Sequence, residues 1–227
     1  MSDQLLKDVI QWDVKSWSKA VKYWEKNVDW STVQHGLELG GREGGLSLWM
    51  ALKGVKVVCS DLKEVETTAK PLHDTYAVLD LVSYEDIDAS AIPYENHFDV
   101  IVFKSIIDGI GRNDNFELQK KVFSEIHKAL KPGGKLLFAE NLTASSIHKK
   151  MRKRFVNWAN SWRYLSPNEL TECLSPFSSY ELKATGVMGT FGRSEGQRSF
   201  LSTVDQTVLN HITPKSWKYI GYGIAQK

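Results

Sequence analysis

The sequence predicts an α/β fold, an open and mostly parallel sheet with helices on both faces. Three observations predict it. Residues 36–61, GLELGGREGGLSLWMALKGVKVVCSD, read as strand, glycine turn, helix and second strand. Phe98-Asp99-Val100-Ile101-Val102-Phe103 is an apolar run of the kind a parallel sheet buries on both faces. An amphipathic stretch over 115–130 stops at Lys131-Pro132-Gly133-Gly134 and gives way to another strand, 135–139.

Composition narrows the class. The 227 residues fit one domain with additions, and 42% hydrophobic with 25% charged residues can build a sizeable core. A net charge of +2 is too mild to point to nucleic acid. There is no apolar run of about 18 residues, and Met1-Ser2-Asp3-Gln4 opens nothing like a signal peptide, so a cytoplasmic protein is expected. Cys59 and Cys173 are too few for a disulfide framework, and neither they nor the six scattered histidines show metal-ligand spacing, so no metal is expected.

Taken in order, Leu6, Ile10, Val14, Trp17, Val21 and Trp24 fall three or four apart and predict one helix over 4–26, packed over the sheet edge. In the glycine turn, Gly40, Gly41, Gly44 and Gly45 let the chain leave a buried strand sharply and expose bare backbone to a ligand. The helix that follows is expected to offer unpaired N–H groups. Asp61, about 20 residues beyond Gly40, ends the second strand where a carboxylate can accept from both ribose hydroxyls. Glu38 lies close to the ligand path and suits a positively charged ligand better than a pyrophosphate.

A helix over 63–74 must be kinked or ended by Pro71. The third strand is either Val78–Leu81 or Tyr84–Asp88, of which the second is preferred. The strand 98–103 delivers Lys104 to Gly109 at its carboxyl end, where open α/β sheets bind ligands. Beyond Glu140-Asn141 the chain is basic (Lys149, Lys150, Arg152, Lys153, Arg154, Arg163) with Phe155, Trp158, Trp162 and Tyr164 interleaved: a solvated face, an anion-binding wall for a phosphorylated substrate, or an electrostatic contact with a membrane surface or RNA. Ser166-Pro167-Asn168-Glu169 is a helix start with a capping box. The tail predicts strands over 180–188 and 219–225 around a helix at 199–212.

Glu38-Leu39-Gly40-Gly41-Arg42-Glu43-Gly44 resembles motif I of the class I S-adenosylmethionine-dependent methyltransferases, with Arg42 where the middle glycine commonly stands. Leu130-Lys131-Pro132-Gly133-Gly134-Lys135-Leu136-Leu137 resembles that family's junction into its fifth strand, and Asp88-Ala89-Ser90-Ala91-Ile92-Pro93-Tyr94 resembles its acid, small residue, Leu-Pro-Phe stretch. The resemblance implies a Rossmann-like, doubly wound sheet of seven strands, mostly parallel with an antiparallel last strand, plus an N-terminal helix lying over the pocket with Tyr23 or Trp24 lining it. It implies S-adenosyl-L-methionine as cofactor, held by Glu38, Gly40, Gly41, Gly44, Asp61, Asp88, Ala89 and Lys104, with Asp88 on the adenine amino group and Asp80 as the alternative. The plan is one domain: a helical cap at 1–30, a cofactor-binding core at 31–142, and substrate-side helices with closing strands at 143–227.

Methyl transfer from a sulfonium is an in-line displacement that needs position first, and a general base where the acceptor is an alcohol. Asp108, Glu140 and His148 are the candidates for that base. Lys104 stands where a magnesium-dependent catechol-type enzyme would carry an acid, and no Asn-Pro-Pro-aromatic motif follows the fourth strand, which disfavours adenine-N6 and glutamine methylation. The chain is similar to small bacterial methyltransferases of surface-polysaccharide synthesis, so a small or carrier-linked acceptor is expected: a sugar, nucleotide sugar or other anionic molecule. An NAD(P)-dependent oxidoreductase and a non-catalytic nucleoside-binding scaffold are the alternatives.

Overall fold

The computed structural model describes residues 1–155 and 161–227; Trp158 and the Phe155 side chain, two of the aromatics in the basic segment, lie outside the described residues. Seven strands form one sheet: β1 (His35–Leu39), β2 (Lys56–Asp61), β3 (Val82–Asp86), β4 (Phe98–Lys104), β5 (Leu130–Asn141), β6 (Ser179–Thr185) and β7 (Ile220–Gln226). Their order is β3-β2-β1-β4-β5-β7-β6. The pairings β3-β2, β2-β1, β1-β4 and β4-β5 are parallel, and β7 runs antiparallel between β5 and β6.

Side chains on a strand alternate between faces, and here that builds two cores. Val100, Val102, Leu137 and Ala139 join Trp17, Trp24 and Leu48 under helices α1 (Asp3–Ile10), α2 (Val14–Asn27), α3 (Gly45–Ala51) and α4 (Val65–Thr75). Ile101, Phe103, Leu136 and Phe138 join Phe123, Ile126 and Leu170 under α5 (Ile107–Ile110), α6 (Phe116–Ala129) and α8 (Pro167–Cys173). Two further helices, α7 (Ser146–Phe155) and α9 (Glu195–Val204), belong to the segments after β5 and β6. Among the described residues no helix is long and apolar enough to cross a membrane.

The N-terminal segment departs from the single helix its periodicity predicts. Gln11 (φ 70°) and Asp13 (φ 46°) take left-handed backbone and divide it into α1 and α2. The cause lies far along the chain: the Glu195 carboxylate accepts the backbone N–H of Asp13 (3.0 Å) and Val14 (2.7 Å), capping α2 from outside. Buried Asp13 in turn accepts the Tyr219 hydroxyl at 2.6 Å. Pro71 sits inside α4 without ending it. The third strand spans Val82–Asp86, overlapping the preferred of the two expected places. Strand β5 starts at Leu130, absorbing Pro132-Gly133-Gly134 where its register with β4 shifts between Phe98 and Val100. The capping box at Ser166 and Glu169 forms as expected.

Candidate active site

The sheet order reverses between β1 and β4, and in open α/β sheets the crevice outside the carboxyl ends of such strands receives the ligand. A cavity of about 1060 Å³ occupies that place. Gly40 and Gly41 reach it from β1, Asp61 from β2, Ile87 to Ala89 from the end of β3 and Lys104 from β4. Val9, Gln11 and Trp12, around the break between α1 and α2, line it too. Tyr23 and Trp24 do not: the Tyr23 hydroxyl donates to Glu181 and the Trp24 indole N–H to the Gly223 carbonyl.

The glycine turn is shaped by close approach as much as by the ligand. At Gly40 (φ 66°) a Cβ would stand 2.4 Å from the Ile106 side chain. Gly44 (φ 73°) faces His73 instead of the cavity; a Cβ there would lie 2.5 Å from the ring, whose Nε2 bonds the Gly44 carbonyl. Gly45, not Gly44, lines the cavity, pressed against the Val9 carbonyl.

Glu38 lines the cavity, but its carboxylate accepts the backbone N–H groups of Leu46 (3.2 Å) and Ser47 (2.7 Å). Burial pushes its pKa up to about 7 against these hydrogen bonds. The expectation of unpaired N–H groups at the start of α3 is therefore corrected in part: the protein's own acid consumes two of them. A dinucleotide pyrophosphate, which relies on donors there, meets a carboxylate instead.

Asp61 is held by two backbone N–H groups, Arg42 to Oδ2 at 2.9 Å and Leu62 to Oδ1 at 2.6 Å. Each oxygen keeps a further lone pair for a ligand. Asp88 closes an Asx turn, its Oδ1 accepting both the N–H and the hydroxyl of Ser90 at 2.8 Å, and it lines the cavity beside Ala89. Asp80 does not line it. Leu62, 61% exposed, presents an apolar face next to Asp61 that sequence reasoning missed.

Of the three candidate bases only Asp108 lines the cavity. It is fully buried, accepts from the Gly109 N–H (2.7 Å) and the Asn141 amide (3.1 Å), and burial lifts its pKa to about 6. Glu140 lies beneath it as a cap, accepting the N–H groups of Ile106, Ile107 and Asn141. Burial, then the charge of Asp108, raises Glu140 well above the usual range. His148 faces away: its Nε2 meets the Val187 carbonyl at 2.6 Å, which fixes the proton there, and its Nδ1 pairs with the Ser145 hydroxyl.

The cavity holds cations as well. Arg152 lines the cavity, stacks on Tyr164 at 4.0 Å and donates through Nη1 to the Leu142 carbonyl at 2.7 Å. Arg112 and Arg198 line the same cavity, and so do Trp162 and Thr190. Arg163, by contrast, is consumed by Asp114, Glu169 and the side-chain amide oxygen of Gln119. The basic segment had signalled Arg152; Arg112 and Arg198 carried no local signal.

A family profile described as a methyltransferase domain matches residues 22–185, well over half of the chain. The chain belongs to this methyltransferase family. Among solved structures, phosphoethanolamine N-methyltransferase 2 of Haemonchus contortus, in complex with phosphomonomethylethanolamine and S-adenosylhomocysteine, matches with TM-score 0.64 and 20% identity. That match covers 93% of this chain and 52% of the other, so the chain spans about half of that enzyme's length. An S-adenosylmethionine-dependent methyltransferase from Thermotoga maritima matches with TM-score 0.62 and 15% identity, covering 95% and 91%. The [4+2]-cyclase SpnF matches with TM-score 0.61 and 14% identity, covering 94% and 80%. At these identities the likeness is one of fold. None of the curated proteins matches the sequence.

Proposed function

We propose that this chain transfers a methyl group from S-adenosylmethionine to an oxygen or nitrogen of a small or carrier-linked acceptor that bears an anionic group. The observation that carries the reading is that Arg112, Arg152 and Arg198 line one cavity with buried Asp108, while Asp61 and Asp88 line it from the β2 and β3 ends. The residues fit the cofactor: Asp61 for the ribose hydroxyls, Asp88 for the adenine amino group, and Leu62 and Ile87 as apolar faces between them. When bound, the cofactor supplies an electrophilic methyl on a sulfonium.

The chain's own work is to orient and to move one proton. Arg152, held flat by Tyr164, offers a fork of N–H groups to a phosphate or carboxylate on the acceptor. Asp108, poised near pH 6, takes the proton from an acceptor hydroxyl as the new bond forms, or from an acceptor ammonium beforehand so that the free amine can attack. Trp12 and Trp162 narrow the cavity against water. A sugar phosphate or nucleotide sugar of surface-polysaccharide synthesis fits this description, as does a phosphorylated amino alcohol like the ligand of the Haemonchus enzyme. Two buried free cysteines support a reducing, cytoplasmic setting. The cyclase of the same fold supports a second reading, in which the cavity orders a reactant without methyl transfer.

The test is transfer of label from S-adenosylmethionine to a panel of phosphorylated, nucleotide-linked and neutral acceptors. Label should go to anionic acceptors, and Arg152→Met should raise their KM by about 10-fold or more. Preference for neutral acceptors, or indifference to Arg152→Met, would contradict the acceptor assignment; no transfer to any member would favour the second reading.

A further inference from the structure

We infer that Lys104 is the receptor for the carboxylate at the amino-acid end of the cofactor, an inference that rests on S-adenosylmethionine being the ligand. Lys104 ends β4 at the switch point and lines the cavity. Its ammonium lies over two indoles, 5.1 Å from the Trp12 ring centre and 5.2 Å from that of Trp17. Among the described residues no carboxylate lies within ion-pair distance of it. The acids around it are turned to other donors: Glu38 to the start of α3, Glu140 to the N–H groups of Ile106 and Ile107, and Asp13 to the Tyr219 hydroxyl. Burial holds the ammonium down to about 8, with Glu38 opposing and Arg42 adding to the effect.

A partly buried cation whose three donors find only aromatic faces is costly unless a ligand supplies the anion. The place identifies which anion. Alternation along β4 puts Lys104 on the face of Val100 and Val102, under α2, whereas Phe103 faces the other core. Asp61 and Asp88 assign the nucleoside to the β2 and β3 ends, and Arg152 comes from α7, beyond β5. The stretch between, bounded by Gly40, Glu38 and Trp12, receives the remaining end of the cofactor, which carries one ammonium and one carboxylate. Glu38 supplies negative character there and Lys104 the matching positive charge.

Calorimetric titration with S-adenosylhomocysteine and with its decarboxylated form, S-adenosyl-3-thiopropylamine, separates this from the cofactor reading. The native protein should bind the decarboxylated ligand about 10- to 100-fold more weakly. Lys104→Met should bind S-adenosylhomocysteine weakly by a similar factor and lose little more on decarboxylation. Equal affinity of the native protein for both ligands would overturn the inference whether or not the variant folds. So would a variant that weakens both ligands alike. If the native protein binds neither, the cofactor reading fails and the inference falls with it.

Discussion

Glu38 and Asp108 are both acids at strand ends, and the donors around each decide what it can do. The sequence placed Glu38 near the ligand by its two-residue spacing from Gly40. Its engagement with Leu46 and Ser47 was not legible, because a carboxylate reaching forward onto the next helix leaves no periodic trace. For Asp108 the sequence showed position and not burial. Burial raises its pKa from 3.8 to about 6, so the folded state binds the proton more tightly than the unfolded state does. The stability it contributes is fully present below about pH 3.8 and is lost as pH rises through about 6. Asp108→Asn should therefore gain stability relative to the native protein between pH 4 and 6.5, on the order of 2 kcal/mol. The same variant should lose methyl transfer by about 100-fold or more, and native turnover should fall as pH drops below about 6. Paired thermal melts and pH–rate profiles check both; a variant with unchanged turnover would leave Asp108 a structural acid.

At the scale of elements, the break between α1 and α2 shows where helical periodicity misleads. The apolar spacing of residues 6–24 is continuous, and the turn at Asp13 is held by long-range contacts, Glu195 on the backbone and Tyr219 on the side chain. Those contacts seat Val9, Gln11 and Trp12 on the cavity. Glu195→Ala should cost about 1–2 kcal/mol by leaving two N–H groups without their acceptor. It should also weaken S-adenosylhomocysteine binding several-fold. Urea melts and a ligand titration on the variant measure the two effects, and unchanged values for both would remove Glu195 as the organiser of this wall. Strand β3 illustrates the opposite difficulty: as an edge strand reading Val-Ser-Tyr-Glu-Asp it is partly exposed, so it lacks the apolar run that made β4 plain.

Across the whole molecule, the half that was legible is the half built from consecutive strand-to-helix units. Gly40 to Asp61 and Leu130 to Leu137 each carry their geometry in neighbouring residues, and the strands they predict lie side by side with β4. The side of the cavity proposed for the acceptor is lined by Arg112, Arg152, Trp162, Thr190 and Arg198, which only the finished fold brings together. One claim underlies both halves: the cavity at the switch point takes a sulfur nucleoside, because Glu38 occupies two of the helix N–H groups that a pyrophosphate would need. Calorimetric titration of the native protein and Asp61→Ala with S-adenosylmethionine, S-adenosylhomocysteine and NADH tests it most directly. The account predicts binding of the two sulfur nucleosides, weakened about 10-fold or more by the substitution, and no saturable binding of NADH. Tighter binding of NADH, or no binding of either sulfur nucleoside, would contradict it.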